Sequence, residues 1–253
     1  MVGPHRNTEP TPGRLVIIDA SVRTARIAHT LGCHTVFVQC PGAPVHKLVD
    51  DFSGYYSVDF TGEAFTGFVM EVLRPLVPTA VVSLSDDGAP AAATANSLLG
   101  TPGTRVDVLQ RLMAGASGGE ADHAGERYAY TFSEAGAHRW VALVDEGAQP
   151  TLAEHVVPER RLTPGEHDVI EAALTGFLDT AGLENGPARI RLRSLDGEVR
   201  IIGATPTAGT DEEAELVRRL TGFDLTRSTL RRALGLADDN ATSPARAHEG
   251  ATR

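Results

Sequence analysis

Over its first half the chain alternates continuous apolar runs with segments of helical periodicity. Leu15-Val16-Ile17-Ile18, Val36-Phe37-Val38 and Ala80-Val81-Val82-Ser83-Leu84 are short and free of charge, the pattern of strands buried on both faces. Between them, Arg23 to Leu31 places Ile27, Ala28 and Leu31 on one face and meets Gly32 as a C-cap, and Glu63 to Arg74 carries Phe65, Val69, Val72 and Leu73 at helical spacing. Ser85, Asp86 and Asp87 are expected to cap a small-residue helix ending at Leu99-Gly100, and a last helix covers roughly Thr104 to Met113. Strands alternating with helices predict an α/β fold with an open parallel sheet over residues 14–113.

Residues 114–124 are rich in Gly and Ala and read as a linker. Beyond them, Arg127 to Phe132 and Arg139 to Val144 predict antiparallel strands joined around Gly136. Thr163-Pro164-Gly165-Glu166 is a capping box with Pro at the first helical position. It opens a helix to about Ala181 whose apolar face includes Val169, Ile170, Ala173, Leu174, Phe177 and Leu178. A second strand pair, Arg189 to Arg193 and Val199 to Pro206, turns at Asp196-Gly197. Thr210-Asp211-Glu212-Glu213 is another capping box, and Thr226 to Leu234 a closing helix. Residues 125–236 thus predict an α+β lobe, with disordered segments at 1–13 and 237–253.

Composition narrows the partners. A net charge of −10 argues against nucleic acid, and no apolar run approaches the ~20 residues that span a bilayer. The N-terminus is polar and Pro-rich, unlike a signal peptide. Cys33 and Cys40 flank a strand whose ends, at ~3.3 Å per residue, lie beyond disulfide reach. Two unpaired thiols fit a reducing cytoplasm. Lys47 is the sole lysine, so nearly every strong base is an arginine.

Arg189, Arg191 and Arg193 alternate along one strand and so share a face. Two readings follow. The guanidinium groups form an anion site for a carboxylate or phosphate, or they are a solvated face paired with acids such as Glu184, Glu198 or Asp211. A two-residue turn at Asp196-Gly197 sets Arg193 opposite Arg200, a like-charge pair. A three-residue Leu195-Asp196-Gly197 turn sets Arg191 opposite Ile201 and Arg189 opposite Gly203, and this register is preferred.

The strand entry Gly186-Pro187 and the segment Gly203-Ala204-Thr205-Pro206 resemble the metal-binding strand pair of the ATP-grasp superfamily, the carboxylate–amine ligases. Leu99-Gly100-Thr101-Pro102-Gly103 is similar to that family's Leu-Gly-x-Pro-Gly entry. Gly125 to Phe132 with Gly136 and His138, His155-Val156-Val157-Pro158, and Thr221-Gly222-Phe223-Asp224-Leu225 follow in the family's order. The resemblance implies a Rossmann-like pre-ATP-grasp domain followed by the C-terminal lobe. It also implies where the chemistry should be. An acid would stand at Arg191, Glu and Asn at Gly203 and Thr205, and an Asp-Lys pair at Gln110-Arg111. The family's ATP-binding lobe would fall where residues 114–124 leave no room for it.

These departures together predict a pseudoenzyme, a truncated and degenerate ligase homologue with no metal and no cofactor. Its interdomain cleft would bind an amino-acid or peptide-like ligand, or a protein partner, and a homodimer is compatible with it. The candidate anion-binding residues are Arg189, Arg191, Arg193, Asp86, Asp87 and Arg111. Two alternatives stay open. One is an ATP-independent enzyme in which the arginines anchor a carboxylate and Asp86 or Asp87 moves protons. The other is an ATP-dependent ligase completed by a partner.

Asp86 and Asp87, with Asp19, lie where parallel strands end, the usual ligand position of open α/β sheets. They would take an amino group or a cation, or simply cap a helix. The histidines show no metal spacing. Gly115, Gly118 and Gly119 lack the Lys-Ser/Thr that a phosphate loop needs.

Overall fold

The computed structural model describes residues 13–45, 53–114, 126–145, 162–195 and 198–237. The expected lead, linker and tail fall almost entirely outside them, as do His155 to Pro158 and the Asp196-Gly197 turn itself. Two four-stranded sheets form the fold. The first has the order β3-β2-β1-β4, with β1 Arg14–Ile18, β2 His34–Gln39, β3 Ser53–Ser57 and β4 Ala80–Val82, all parallel. The second has the order β6-β5-β7-β8, with β5 Glu126–Glu134, β6 Ala137–Asp145, β7 Gly186–Leu195 and β8 Glu198–Thr205, all antiparallel.

Both faces of the first sheet are covered, as unbroken apolar strands require. Val16, Ile18, Val36, Val38 and Val81 pack under α2 (Phe65–Phe68) and α3 (Ala89–Leu99). The helix expected over Glu63 to Arg74 is irregular. After α2 it widens to a π-turn at Val69–Leu73, which keeps Val69 and Leu73 buried, and tightens to a 3-10 turn at Arg74–Leu76 before Val77 in the left-handed region. Helix α1 (Val22–His29) ends at Thr30, two residues before Gly32, and is capped at its start by Ser21.

The opposite face, carrying Leu15, Ile17, Phe37 and Val82, joins Tyr130, Phe132, Ala142 and Val144 of the second sheet in one apolar core. α6 (Asp211–Thr221) and α7 (Leu225–Ala233) contribute Val217 and Leu230 to it. The two halves therefore meet through close-packed side chains. The far face of the second sheet packs against α5 (Pro164–Ala181) and α4 (Val106–Ala114). Val108 and Leu112 of α4 thus serve the second sheet, although the pattern groups that helix with the first. Both capping boxes form, at Thr163/Glu166 and Thr210/Glu213. Val169, expected on the inner face of α5, is exposed.

The preferred turn register is incorrect. Leu195 pairs with Glu198, so only residues 196 and 197 separate the strands, and Arg193 does face Arg200. The like-charge pair is tolerated because Glu126 Oε1 lies 2.9 Å from Arg193 Nη2. A β-bulge on β8 then inserts one residue. Leu192 pairs with Ile201, but Arg191 pairs with Gly203 and Arg189 with Thr205. A bulge of this kind re-aims side chains, and the pairing it produces differs from that of the expected three-residue turn.

Candidate functional site

Arg189 links the two halves of the molecule. It leaves β7 and reaches the carboxyl end of the first sheet, where Nη2 pairs with Asp86 Oδ2 and Nη1 donates to Glu213 Oε2 at 3.0 Å. Asp86 Oδ1 accepts from Thr207 Oγ1 at 2.8 Å. The Tyr128 ring lies 5.5 Å from the guanidinium carbon, within cation–π range. Glu213 has two tasks, because its Oε2 also accepts the Thr210 N–H at 2.7 Å as the capping-box acid of α6. Burial works against the charge on Arg189, but Glu213 and Asp86 more than offset it, and its pKa stays above the ordinary arginine value. Burial first, and then the charge of Glu213, push the Tyr130 hydroxyl far above the usual phenol range.

Arg191 and Arg193 share one acid. Glu126 is nearly buried and lies 3.7 Å from Arg191 and 2.9 Å from Arg193. Among the described residues, the acids paired with the arginine strand are Asp86, Glu213 and Glu126 rather than Glu184, Glu198 or Asp211. Asp86 does not cap α3, since Gly88 occupies the N-cap position and Ser85 Oγ accepts its N–H at 2.9 Å. Asp87 is exposed beside it. Arg111 is held elsewhere. Its Nε donates to the Ala181 carbonyl at 2.8 Å and its Nη2 to Asp107 at 3.1 Å. It thereby caps the C-terminus of α5, where a cation is favoured.

Next to the Arg189 cluster is a polar recess of about 280 Å³ at the ends of β1 and β4, closed by the first turn of α6. Asp19 and Ser85 stand on one side and Asp211 on the other. Ser85 Oγ donates to Asp19 at 2.6 Å, and Ser21 Oγ donates to Asp211 at 2.7 Å. Asp19 has φ 53°, an uncommon conformation for a residue with a side chain. Gly88 abuts this corner. A Cβ there would come within 2.4 Å of Ser83 Oγ and 2.8 Å of Asp19 Cβ.

The structure also assembles a group that sequence spacing does not show. Ser133 Oγ lies 2.7 Å from His138 Nδ1, and His138 Nε2 lies 3.1 Å from Asp179 Oδ1. The order of contacts is that of a nucleophilic triad. Ser133, however, is 0% exposed, so no substrate carbonyl reaches its oxygen. The group ties the β5–β6 hairpin to α5.

No family model matches the chain, and no curated protein matches it. Solved structures do. An L-amino acid ligase from Bacillus licheniformis superposes with a TM-score of 0.68 at 14% identity, over 91% of this chain and 76% of that one. A phosphoribosylglycinamide synthetase from Anaerococcus prevotii gives 0.70 at 14%, over 89% and 76%. A biotin carboxylase from Campylobacter jejuni gives 0.63 at 10%, over 90% and 72%.

The fold is ATP-grasp-like.

At these identities the likeness concerns the fold alone. An ATP-grasp-like fold invites the test of whether the β7–β8 pair suits a magnesium-bound nucleotide. Mg²⁺ requires oxygen ligands at about 2.0–2.1 Å in near-octahedral array. At the positions where the resemblance would put those ligands, Arg191 faces Gly203 and Arg189 faces Thr205. A guanidinium and a glycine offer no ligand oxygen from their side chains, Thr205 offers a single neutral hydroxyl that lies 3.0 Å from that of Thr207, and the adjacent Glu126 is engaged by two arginines. These residues do not fit the ion. Among the described residues, no group of three or more His, Cys, Asp or Glu is arranged to hold a metal.

Proposed function

We propose that this protein is a degenerate homologue of ATP-grasp ligases, not competent for ATP-dependent ligation by itself. It binds an amino-acid or peptide-like ligand, or a protein partner, at the seam between its halves. One observation carries the reading: Arg189 and Arg191 stand in register with Thr205 and Gly203, and the protein's own carboxylates neutralise them. Phosphoryl transfer to a carboxylate needs cations arranged around the transferring group. Here the fixed cations are turned inward, to acids that join β7 to α6 and to the end of β4.

The short span between α4 and β5, residues 115–125, supports the same reading, since a nucleotide-covering lobe needs far more chain. The polar recess suits the ligand. Asp19 and Asp211 would receive an ammonium group. The reading is tested by following ADP release with Mg²⁺, ATP and each of the common amino acids. The expected result is no release above the protein-free rate. Turnover that depends on an added amino acid would refute it.

A further inference from the structure

A second cavity, of about 350 Å³, opens on the same seam, and none of Arg189, Arg191, Arg193, Asp86, Asp87 or Arg111 lines it. One wall is the alanine face of α3, including Ala92 and Ala93. Val82 closes the end of β4, and Pro187 and Pro206 stand opposite. Protein interiors rarely leave voids much larger than a water molecule. This one has room for roughly a dozen waters at ~30 Å³ each and falls within the usual size of ligand pockets, at their usual place between packed halves.

Its rim is fixed in place. Asn96, 3% exposed, accepts from Thr101 Oγ1 at 2.7 Å and donates to the Thr104 carbonyl at 3.3 Å. Those two bonds hold the 101–104 segment against α3. At the other end is Arg232 on α7. Its Nε donates to Asn185 Oδ1 and its Nη1 to Glu134 Oε1, each at 2.9 Å. Two acceptors thus orient the guanidinium, and its Nη2 has no partner among the described residues. With Nε and Nη1 engaged and Glu134 balancing part of the charge, the N–H groups left to a ligand are those of Nη2, which would donate to a carboxylate oxygen.

We propose that this cavity binds a small carboxylic acid, its compact apolar body among the alanines and prolines and its carboxylate on Arg232. The apolar walls disfavour a sugar or a polyphosphate, for which they supply too few hydrogen bonds. The site is separate from the polar recess and does not depend on whether the protein turns over ATP.

Isothermal titration with benzoate and its neutral isostere benzamide tests the proposal on the full chain. Benzoate is expected to bind at least tenfold more tightly than benzamide. Arg232→Gln should remove that preference, and Ala93→Leu, which fills the cavity, should remove binding of both. Circular dichroism melts identify a variant that fails to fold, in which case Ala92→Leu replaces Ala93→Leu. Three outcomes would each overturn the proposal: no binding of benzoate at millimolar concentration, equal affinity for the two probes, or benzoate binding that survives both variants.

Discussion

Arg189 carries an ionic link between the two halves. Its side chain is 18% exposed and meets two acids from different elements. Replacing it with methionine leaves Asp86 and Glu213 without their cation, and Tyr130 beside an uncompensated charge. Removing one partner of a partly buried ionic network is costly. Arg189→Met should destabilise the protein by about 2 kcal/mol in urea denaturation, and adding Glu213→Gln in that background should restore part of the loss. A variant as stable as the parent would show that the network contributes nothing net.

Gly88 is the second sensitive residue. Its backbone conformation, φ −84°, suits any amino acid, so the constraint is steric. An added methyl meets Asp19 Cβ at 2.8 Å, and neither it nor the backbone moves freely. Gly88→Ala should therefore cost about 1–3 kcal/mol, as overpacking does, and the same denaturation midpoints measure it. The sequence offers no sign of this, because the glycine precedes a helix like many others.

Among the elements, α1, α6 and α7 are joined by a charged clamp. Arg23 lies 3.5 Å from Glu215 and 3.2 Å from Asp224, and Arg218 Nε donates to Glu215 at 2.8 Å. The Arg218 hydrogen bonds, helped by Arg23, hold the Glu215 carboxyl down to about 2. A folded pKa below the unfolded value means that the contribution is fully present above the ordinary carboxylate range. It is lost as pH falls from about 4.5 toward 2. Stability should drop over that window, and Glu215→Gln should flatten part of the slope. The pair is solvent-accessible, so the effect is modest and salt-sensitive.

Elements with a strong physical signature were readable in the sequence. β1, β2 and β4 are uninterrupted apolar runs, and both capping boxes sit where Thr precedes Glu by three residues. β3 was not readable. Ser53-Gly54-Tyr55-Tyr56-Ser57 has no apolar run, and as an edge strand it is only half-buried. The β7–β8 register departs from the expected one at two places, because the distant Glu126 offsets the Arg193–Arg200 pair at a two-residue turn and because a bulge at Ile202 leaves no mark in the local sequence. The partners of the arginine strand were missed for a related reason. Glu213 has a sufficient local role as a capping acid, and Glu126 opens a strand 67 residues before Arg193. Contacts of that range arise only once two sheets share one core.

At the scale of the whole molecule, an ATP-grasp-like architecture has an arginine strand where its magnesium chemistry would be expected. The arginines are locked to acids of the same chain, and the seam they cross is continuous apolar core flanked by two recesses. We propose that this arrangement excludes the magnesium–nucleotide complex. Isothermal titration of ATP with excess Mg²⁺ into the full chain tests it most directly. No binding heat is expected up to millimolar nucleotide. Saturable binding at micromolar concentration, lost when Mg²⁺ is chelated, would contradict it.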